Sequence, residues 1–213
     1  MTPMTPTRAA AQRLGLDVFY PIVPDVAWLE RLVGLGVKTV QLRLKNASPA
    51  EIRRQINHGA GLCAAADCQL IVNDHWREAI EPPVNFIHLG QEDLATADLN
   101  AIKASGLKLG ISTHSLDELA IALAAEPDYV ALGPIYETKL KAMHWAPQGL
   151  DKIKVWKSRI NCPLVAIAGI TLERAQGVIA AGADSVAVIT DFLTHPDPDR
   201  RIKDWLAWAK TMG

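Results

Sequence analysis

Eight short runs of almost wholly apolar residues recur along the chain: Val18–Val23, Thr39–Leu44, Gln69–Val72, Asn85–Leu89, Lys108–Thr113, Tyr129–Leu132, Pro163–Ala168 and Asp184–Ile189. A strand that is apolar at successive positions, not only at alternate ones, is covered on both faces, as parallel strands joined by crossover helices are. Helix-like stretches fill the intervals, among them Val26–Leu35, Pro49–Ala66, Leu116–Ala125 and Leu172–Ala181. Several begin at a Ser, Thr or Asp and end near a Gly, the residues that cap helices. Eight such units in 213 residues, about 27 residues each, predict an α/β chain folded as a (β/α)8 TIM barrel, with residues 1–213 as a single domain. Arg8–Leu14 adds an extra N-terminal helix before the first strand, and Asp199–Lys210 closes the chain with Trp205 and Trp208 toward the core. An open doubly wound sheet is the alternative. Against it, the first strand-to-helix turn, Val23-Pro24-Asp25, lacks the glycines of a dinucleotide-binding loop.

Charge narrows the partners. Lys and Arg total 22 against 23 Asp and Glu, and only 21% of residues are charged. Phosphate-backbone binding needs a basic excess, so neither nucleic acid nor an anionic membrane is expected as a partner. No stretch approaches the ~20 uninterrupted apolar residues of a membrane span, and the polar start from Met1 to Gly15 lacks a signal-peptide core. The expected location is cytoplasmic. Cys63, Cys68 and Cys162 are an odd set without CxxC spacing, and Cys63 and Cys162, in apolar surroundings, are expected as small hydrophobes. A homo-oligomer stays open.

In such barrels the chemistry lies at the carboxyl ends of the strands, so polar residues there carry most information. Gln41, Arg43 and Lys45 alternate with Val40, Leu42 and Leu44, which puts all three on one face. With apolar helices outside, that face is the inner one, and two cations there require an anion. Asp74 and Asp93 follow the third and fourth strands and reach the same rim. Few oxygen ligands beside cations suit Mg²⁺, which completes its shell with water and phosphate oxygens, so the pattern predicts a metal-held pyrophosphate. The stretch from Gly133 to the seventh strand is long for a β-to-α connection, which suggests a binding loop that brings Lys141 over an anion. The seventh and eighth strands end in Ala168-Gly169-Ile170-Thr171 and Val188-Ile189-Thr190-Asp191, where many barrels seat a phosphate on backbone N–H groups. Two anion sites are therefore expected.

Other polar residues are assigned no chemistry. His88 and His114, near the rim, are expected to be packed and hydrogen-bonded, and His75, Trp76, His144 and Trp145 to lie on loop or helix surfaces. Neither a Ser, His and Asp grouping nor an HExxH motif is present, and no nucleophile stands out.

Seven segments in this order resemble the thiamine-phosphate synthase family: Gln41-Leu-Arg-Leu-Lys45, Asn73-Asp74, His88-Leu-Gly-Gln-Glu-Asp93, Leu109-Gly-Ile-Ser-Thr-His114, Gly133-Pro-Ile-Tyr-Glu-Thr138, Ala146-Pro-Gln-Gly-Leu150 and Ala168-Gly-Ile170. The resemblance runs from about Tyr20 to Phe192. It implies a transferase that joins the diphosphate of 4-amino-2-methyl-5-hydroxymethylpyrimidine to the phosphate of 4-methyl-5-hydroxyethylthiazole. Thiamine phosphate and pyrophosphate would be the products, with Mg²⁺ required. By position it implies Gln41, Arg43, Lys45, Asn73, Ser112 and Lys141 as pyrimidine-diphosphate contacts, and Asp74 and Asp93 as metal ligands. Thr138, Gly169, Ile189 and Thr190 match positions that hold the thiazole phosphate. Of these, Arg43, Lys45, Lys141 and Ser112 would carry the catalysis. Three positions depart from the family pattern: Leu44 in place of Glu, Thr190 in place of Ser, and Leu140 in place of a second hydroxyl residue.

Three rivals share the barrel. A thiazole tautomerase-like isomerase would use a rim histidine and no metal, and the presence of Gln41, Arg43, Lys45, Asp74 and Asp93 speaks against it. A noncatalytic thiamine-phosphate-binding protein has only Leu140 in its favour. A Schiff-base aldolase is disfavoured because strands five to seven carry no lysine except Lys108, at a strand start. The Leu140 departure generates a prediction. Leu140→Thr restores one hydrogen bond to a charged group, worth roughly 1.5–3 kcal/mol at most. Steady-state kinetics should then show the thiazole-phosphate KM falling by about tenfold, with the pyrimidine-diphosphate KM nearly unchanged.

Overall fold

The computed structural model describes residues 6–81, 84–138 and 145–212. Its strands are β1 (Phe19–Val23), β2 (Thr39–Leu42), β3 (Gln69–Asn73), β4 (Phe86–Leu89), β5 (Lys108–Thr113), β6 (Tyr129–Leu132), β7 (Leu164–Ile167) and β8 (Ser185–Val188). All pair in parallel in chain order, and β8 pairs with β1, so the sheet closes into the expected barrel. The helices are α1 (Pro6–Arg13), α2 (Val26–Gly34), α3 (Pro49–Ala65), α4 (Trp76–Ala79), α5 (Gln91–Leu94), α6 (Leu99–Ala104), α7 (Leu116–Ala124), α8 (Gly149–Lys157), α9 (Leu172–Ala180), α10 (Thr190–Leu193) and α11 (Pro198–Lys210).

Three strands end sooner than the sequence suggests, β8 by the single residue Ile189. β2 stops at Leu42, after which only the Arg43 N–H still bonds back to Val23, and Asn46 turns the chain with φ 57°. β7 stops at Ile167 because Ala168 and Gly169 both take left-handed backbone, φ 75° and 67°. The one-turn helices α4, α5 and α10 follow strand ends too closely to show a helical period in the sequence.

Alternation along the strands divides the interior into two cores. Inside the barrel lie Tyr20, Ile22, Ile71, Phe86, Tyr129, Ala131, Val165 and Ala187, joined by Ala11 of α1 and Leu16, so the first helix closes the amino-terminal end. The second core lies between strands and helices, and Trp205 of α11 stacks there on Phe19, 5.0 Å between centroids. Trp208, expected to be core-facing, is only partly covered. The amino-terminal end is tied by Asp184, which accepts from the Thr7 hydroxyl at 3.0 Å, from Lys157 Nζ at 2.7 Å and from the Leu164 N–H at 2.8 Å.

Gly110 is required by packing. A Cβ on Gly110 of β5 would sit 2.1 Å from Cζ of Tyr129, so the absent side chain is what admits the phenol to the lumen. Gly110→Ala should therefore overpack the barrel and cost about 1–3 kcal/mol, seen as a lower denaturant midpoint at unchanged slope.

Candidate active site

A cavity of about 550 Å³ opens at the carboxyl ends of the strands. Gln41, Arg43, Lys45, Asn73, Asp74, Asp93, Ser112, Thr138, Gly169, Ile189 and Thr190 all line it. Every candidate residue within the described part of the chain is thus brought to one wall. Lys141 lies outside the described residues, as do Leu140 and His144. A second hollow, about 610 Å³, lies at the opposite end, but its cations are spent on the chain itself: Lys38 donates to the Ala66 carbonyl and Arg8 to that of Met212.

The first half of the active cavity holds the charges. Lys45 Nζ lies 2.6 Å from Asp74 Oδ2, with the lysine half exposed. Asp74 itself takes left-handed backbone, φ 66°, which lets β3 end at once while the Asp74 N–H still bonds to the His88 carbonyl at 2.9 Å. Burial holds the Asp93 carboxyl above its ordinary range. The negative charge and hydrogen bond of Asp74 push the same way, and Lys45 opposes them. The Arg43 guanidinium, half-buried, makes no hydrogen bond or ion pair among the described residues, and neither does the side-chain amide of buried Asn73. Gln91 Nε2 donates to the Ser112 carbonyl at 2.7 Å and so fixes α5, with Asp93, beside the end of β5.

Below the charges the wall is neutral and polar. His88 is buried, and burial pushes its imidazole down to about 4, with Arg43 adding to the effect and Asp74 opposing it. It is therefore uncharged at neutral pH and bonded at both nitrogens, to Tyr129 and Ser112, as the packed reading of this residue expects. The tyrosines were not singled out as site residues. Their signal was a hydroxyl inside otherwise aliphatic runs, at Tyr20 and Tyr129.

The second half is built from backbone. A Cβ on Gly169 would come within 2.5 Å of the Glu137 carbonyl, so only glycine fits between the loops after β6 and β7. Arg174 Nη1 donates to the Gly169 carbonyl at 2.7 Å, and its guanidinium lies 4.5 Å over the Tyr136 ring. Thr190 opens α10, and the next residue, Asp191, is neutralised by Arg201 in two bonds of 2.7 and 2.9 Å and accepts a third bond from Trp205 Nε1 at 2.7 Å. Between the halves stand His114, Glu118 and Trp145. Glu118 accepts from both the backbone N–H and Nδ1 of His114, each at 2.7 Å, and Trp145 stacks parallel on the imidazole, 5.8 Å between centroids. Trp145 is 40% exposed, as expected of a surface loop, yet it also borders the cavity.

Fold and cavity together place the chain among the (β/α)8 barrels whose chemistry sits at the carboxyl ends of the strands. The chain belongs to the family described as thiamine monophosphate synthase, whose model matches residues 19–192. It is 57% identical to a thiamine-phosphate synthase of Rhizobium etli over 195 residues, 91% of this chain and 96% of that protein. A thiamine-phosphate synthase of Neisseria meningitidis is 46% identical, over 89% of this chain and 93% of its own. Among solved structures, a thiamine phosphate pyrophosphorylase from Pyrococcus furiosus superposes with a TM-score of 0.81 at 24% identity, covering 94% of this chain and 98% of its own, which bears on the fold.

The crowding of Asp74 and Asp93 generates a prediction. A carboxyl whose folded value is raised is most stabilising when protonated, so its contribution is lost as pH rises from its unfolded value through its folded one. Asp93→Asn removes that loss. Without divalent cations it should raise Tm at neutral pH by a few degrees at most, because solvent screens the pair. Thermal melts of both proteins between pH 4 and about 8 should converge at the acid end.

Proposed function

We propose that this chain catalyses the condensation of 4-amino-2-methyl-5-hydroxymethylpyrimidine diphosphate with 4-methyl-5-(2-phosphoethyl)thiazole, giving thiamine phosphate and pyrophosphate. The observation that carries the reading is the unpaired Arg43 guanidinium, set in one cavity with the Lys45–Asp74 pair and Asp93. A half-buried cation without a partner is costly, and a ligand diphosphate removes that cost. Family membership and the two relatives, each named thiamine-phosphate synthase, support the same reaction.

In this reading Gln41 and Asn73 orient the pyrimidine end, while Arg43, Lys45, Ser112 and Lys141 bind the diphosphate. Loss of pyrophosphate leaves a ring-stabilised methylene cation, and the thiazole nitrogen attacks it without needing a base. That agrees with a cavity whose buried histidine is neutral and bonded at both nitrogens. Thr138, Gly169, Ile189 and Thr190 would hold the thiazole phosphate, and a separately anchored phosphate supplies proximity.

The donor set fits a divalent cation. Asp74 and Asp93 are adjacent and mutually repulsive, and among the described residues no third His, Cys, Asp or Glu joins them. Two carboxylates leave the other positions to water and phosphate, which suits Mg²⁺. They would hold the ion, and when bound it would neutralise charge growing on the leaving diphosphate. Both substrates are small and diffusible, which fits a cytoplasmic setting. No helix of the described residues is long and apolar enough to cross a membrane.

The experiment is direct: incubation of the purified protein with both substrates and Mg²⁺, with thiamine phosphate read by mass and pyrophosphate by a coupled assay. Absence of product with both substrates present would overturn the reading. Arg43→Met should lower turnover by at least about a hundredfold, the loss typical of one preorganised group that stabilises developing charge. The substrate-free protein should melt no lower than the parent, since Arg43 has no partner there to lose. A large drop in Tm would make Arg43 a structural residue instead.

A further inference from the structure

Five side chains form one chain of hydrogen bonds across the barrel interior. Gln41 Nε2 donates to the Tyr20 hydroxyl at 2.8 Å. The Tyr20 and Tyr129 hydroxyls are 2.9 Å apart, and the Tyr129 hydroxyl lies 2.8 Å from His88 Nδ1. His88 Nε2 lies 2.8 Å from Ser112 Oγ.

Proton inventory fixes the direction of this chain. A phenol has a single proton to give. Tyr20 receives one from Gln41, so its own proton needs an acceptor, and among the described residues that is Tyr129. The Tyr129 proton then goes to His88 Nδ1, the acceptor nitrogen of a neutral imidazole. The ring proton is left on Nε2 and donated to Ser112 Oγ. The reverse polarity would have Tyr20 receive from both Gln41 and Tyr129, stranding its own proton in a site that is 1% exposed. A doubly protonated His88 strands it in the same way.

We propose that this relay sets the hydrogen-bonding sense of Ser112, with His88 as a positioning residue that acts through it. A free serine hydroxyl offers a lone pair as readily as a proton. Diphosphate oxygens only accept, so a hydroxyl that already accepts from His88 presents what the leaving group requires. The relay begins at Gln41 and ends at Ser112, and all five members line the cavity, Tyr129 the most deeply buried of them. Gly110 belongs to the same device, because the missing Cβ gives the Tyr129 phenol its place beside the imidazole. The inference rests on the reading of Ser112 as a diphosphate contact.

The test has two arms. Histidine-selective ¹⁵N–¹H correlation NMR of the resting protein, without substrates, should show His88 protonated on Nε2 and bare on Nδ1. A ring protonated on Nδ1, or on both nitrogens, overturns the relay. This arm uses no turnover, so failure of the relay stays distinct from failure of the proposed reaction. In the second arm Tyr129→Phe should lower kcat by about tenfold, the worth of one hydrogen bond to a charged oxygen, with folding checked by thermal melting. Combined with Ser112→Ala it should lower kcat no further than Ser112→Ala alone, because both changes remove the same contact. Losses that multiply would mean that Tyr129 acts independently of Ser112 and would overturn the proposal. If Tyr129→Phe does not fold, the His88 tautomer decides alone.

Discussion

The charges at the carboxyl-end mouth do not all find partners there, and the rest of the molecule is arranged to tolerate that. Lys45 serves Asp74 at 2.6 Å while also drawing on Asp93, and Arg43 has no bonded partner among the described residues. Two carboxylates in contact and a guanidinium left over are each unfavourable in a half-buried cavity. A ligand that carries both a diphosphate and a divalent cation meets both needs at once. Binding such a ligand would relieve the cost of leaving these groups unpaired.

That cost is tolerable because the barrel is closed and anchored away from the mouth. Closure removes every sheet edge, and Asp184 joins α1, α8 and β7 at the far end through three groups. Packing also reaches the site directly. Trp205 stacks on Phe19 with one face of its indole and donates its N–H to Asp191 beside Thr190. Arg201, held by the same carboxylate and by Glu173, cancels a negative charge where a phosphate is expected. The closing helix α11 is therefore both a core element and a support for Thr190 and its neighbours at the cavity.

The sequence revealed the barrel because parallel strands buried on both faces leave a signal that needs no knowledge of partners. It revealed the charged half of the site for a similar reason: Gln41, Arg43 and Lys45 break an apolar run at a period of two, and acids at the ends of adjacent strands must share a rim. It did not reveal Tyr20, Tyr129 or the partners of His88, since these depend on which strands face each other across the lumen, and residues 20, 88, 112 and 129 belong to four different strands. Nor did it show that β2 and β7 end early. The end of β7 is set by left-handed Ala168, a conformation its side chain does not announce.

Left-handed residues also shape the two halves of the cavity. Asp74 and Ala168 both take positive φ at a strand end, and each such non-glycine residue costs on the order of 1–2 kcal/mol. Neither is a loop that has merely settled there. The Asp74 N–H remains bonded to His88, and the Ala168 carbonyl accepts from the Tyr136 N–H at 3.1 Å, so both turns are pinned to a neighbouring strand or loop. One turn keeps a carboxylate beside Lys45, and the other leads into Gly169, whose backbone packs against Glu137 with no room for a side chain. Strain at these points is sustained by the strand pairing beneath them. The candidate anion sites are thus shaped by backbone on one side and by unpaired charge on the other, and the neutral lumen between them is where hydrogen-bond direction, and not charge, can be specified.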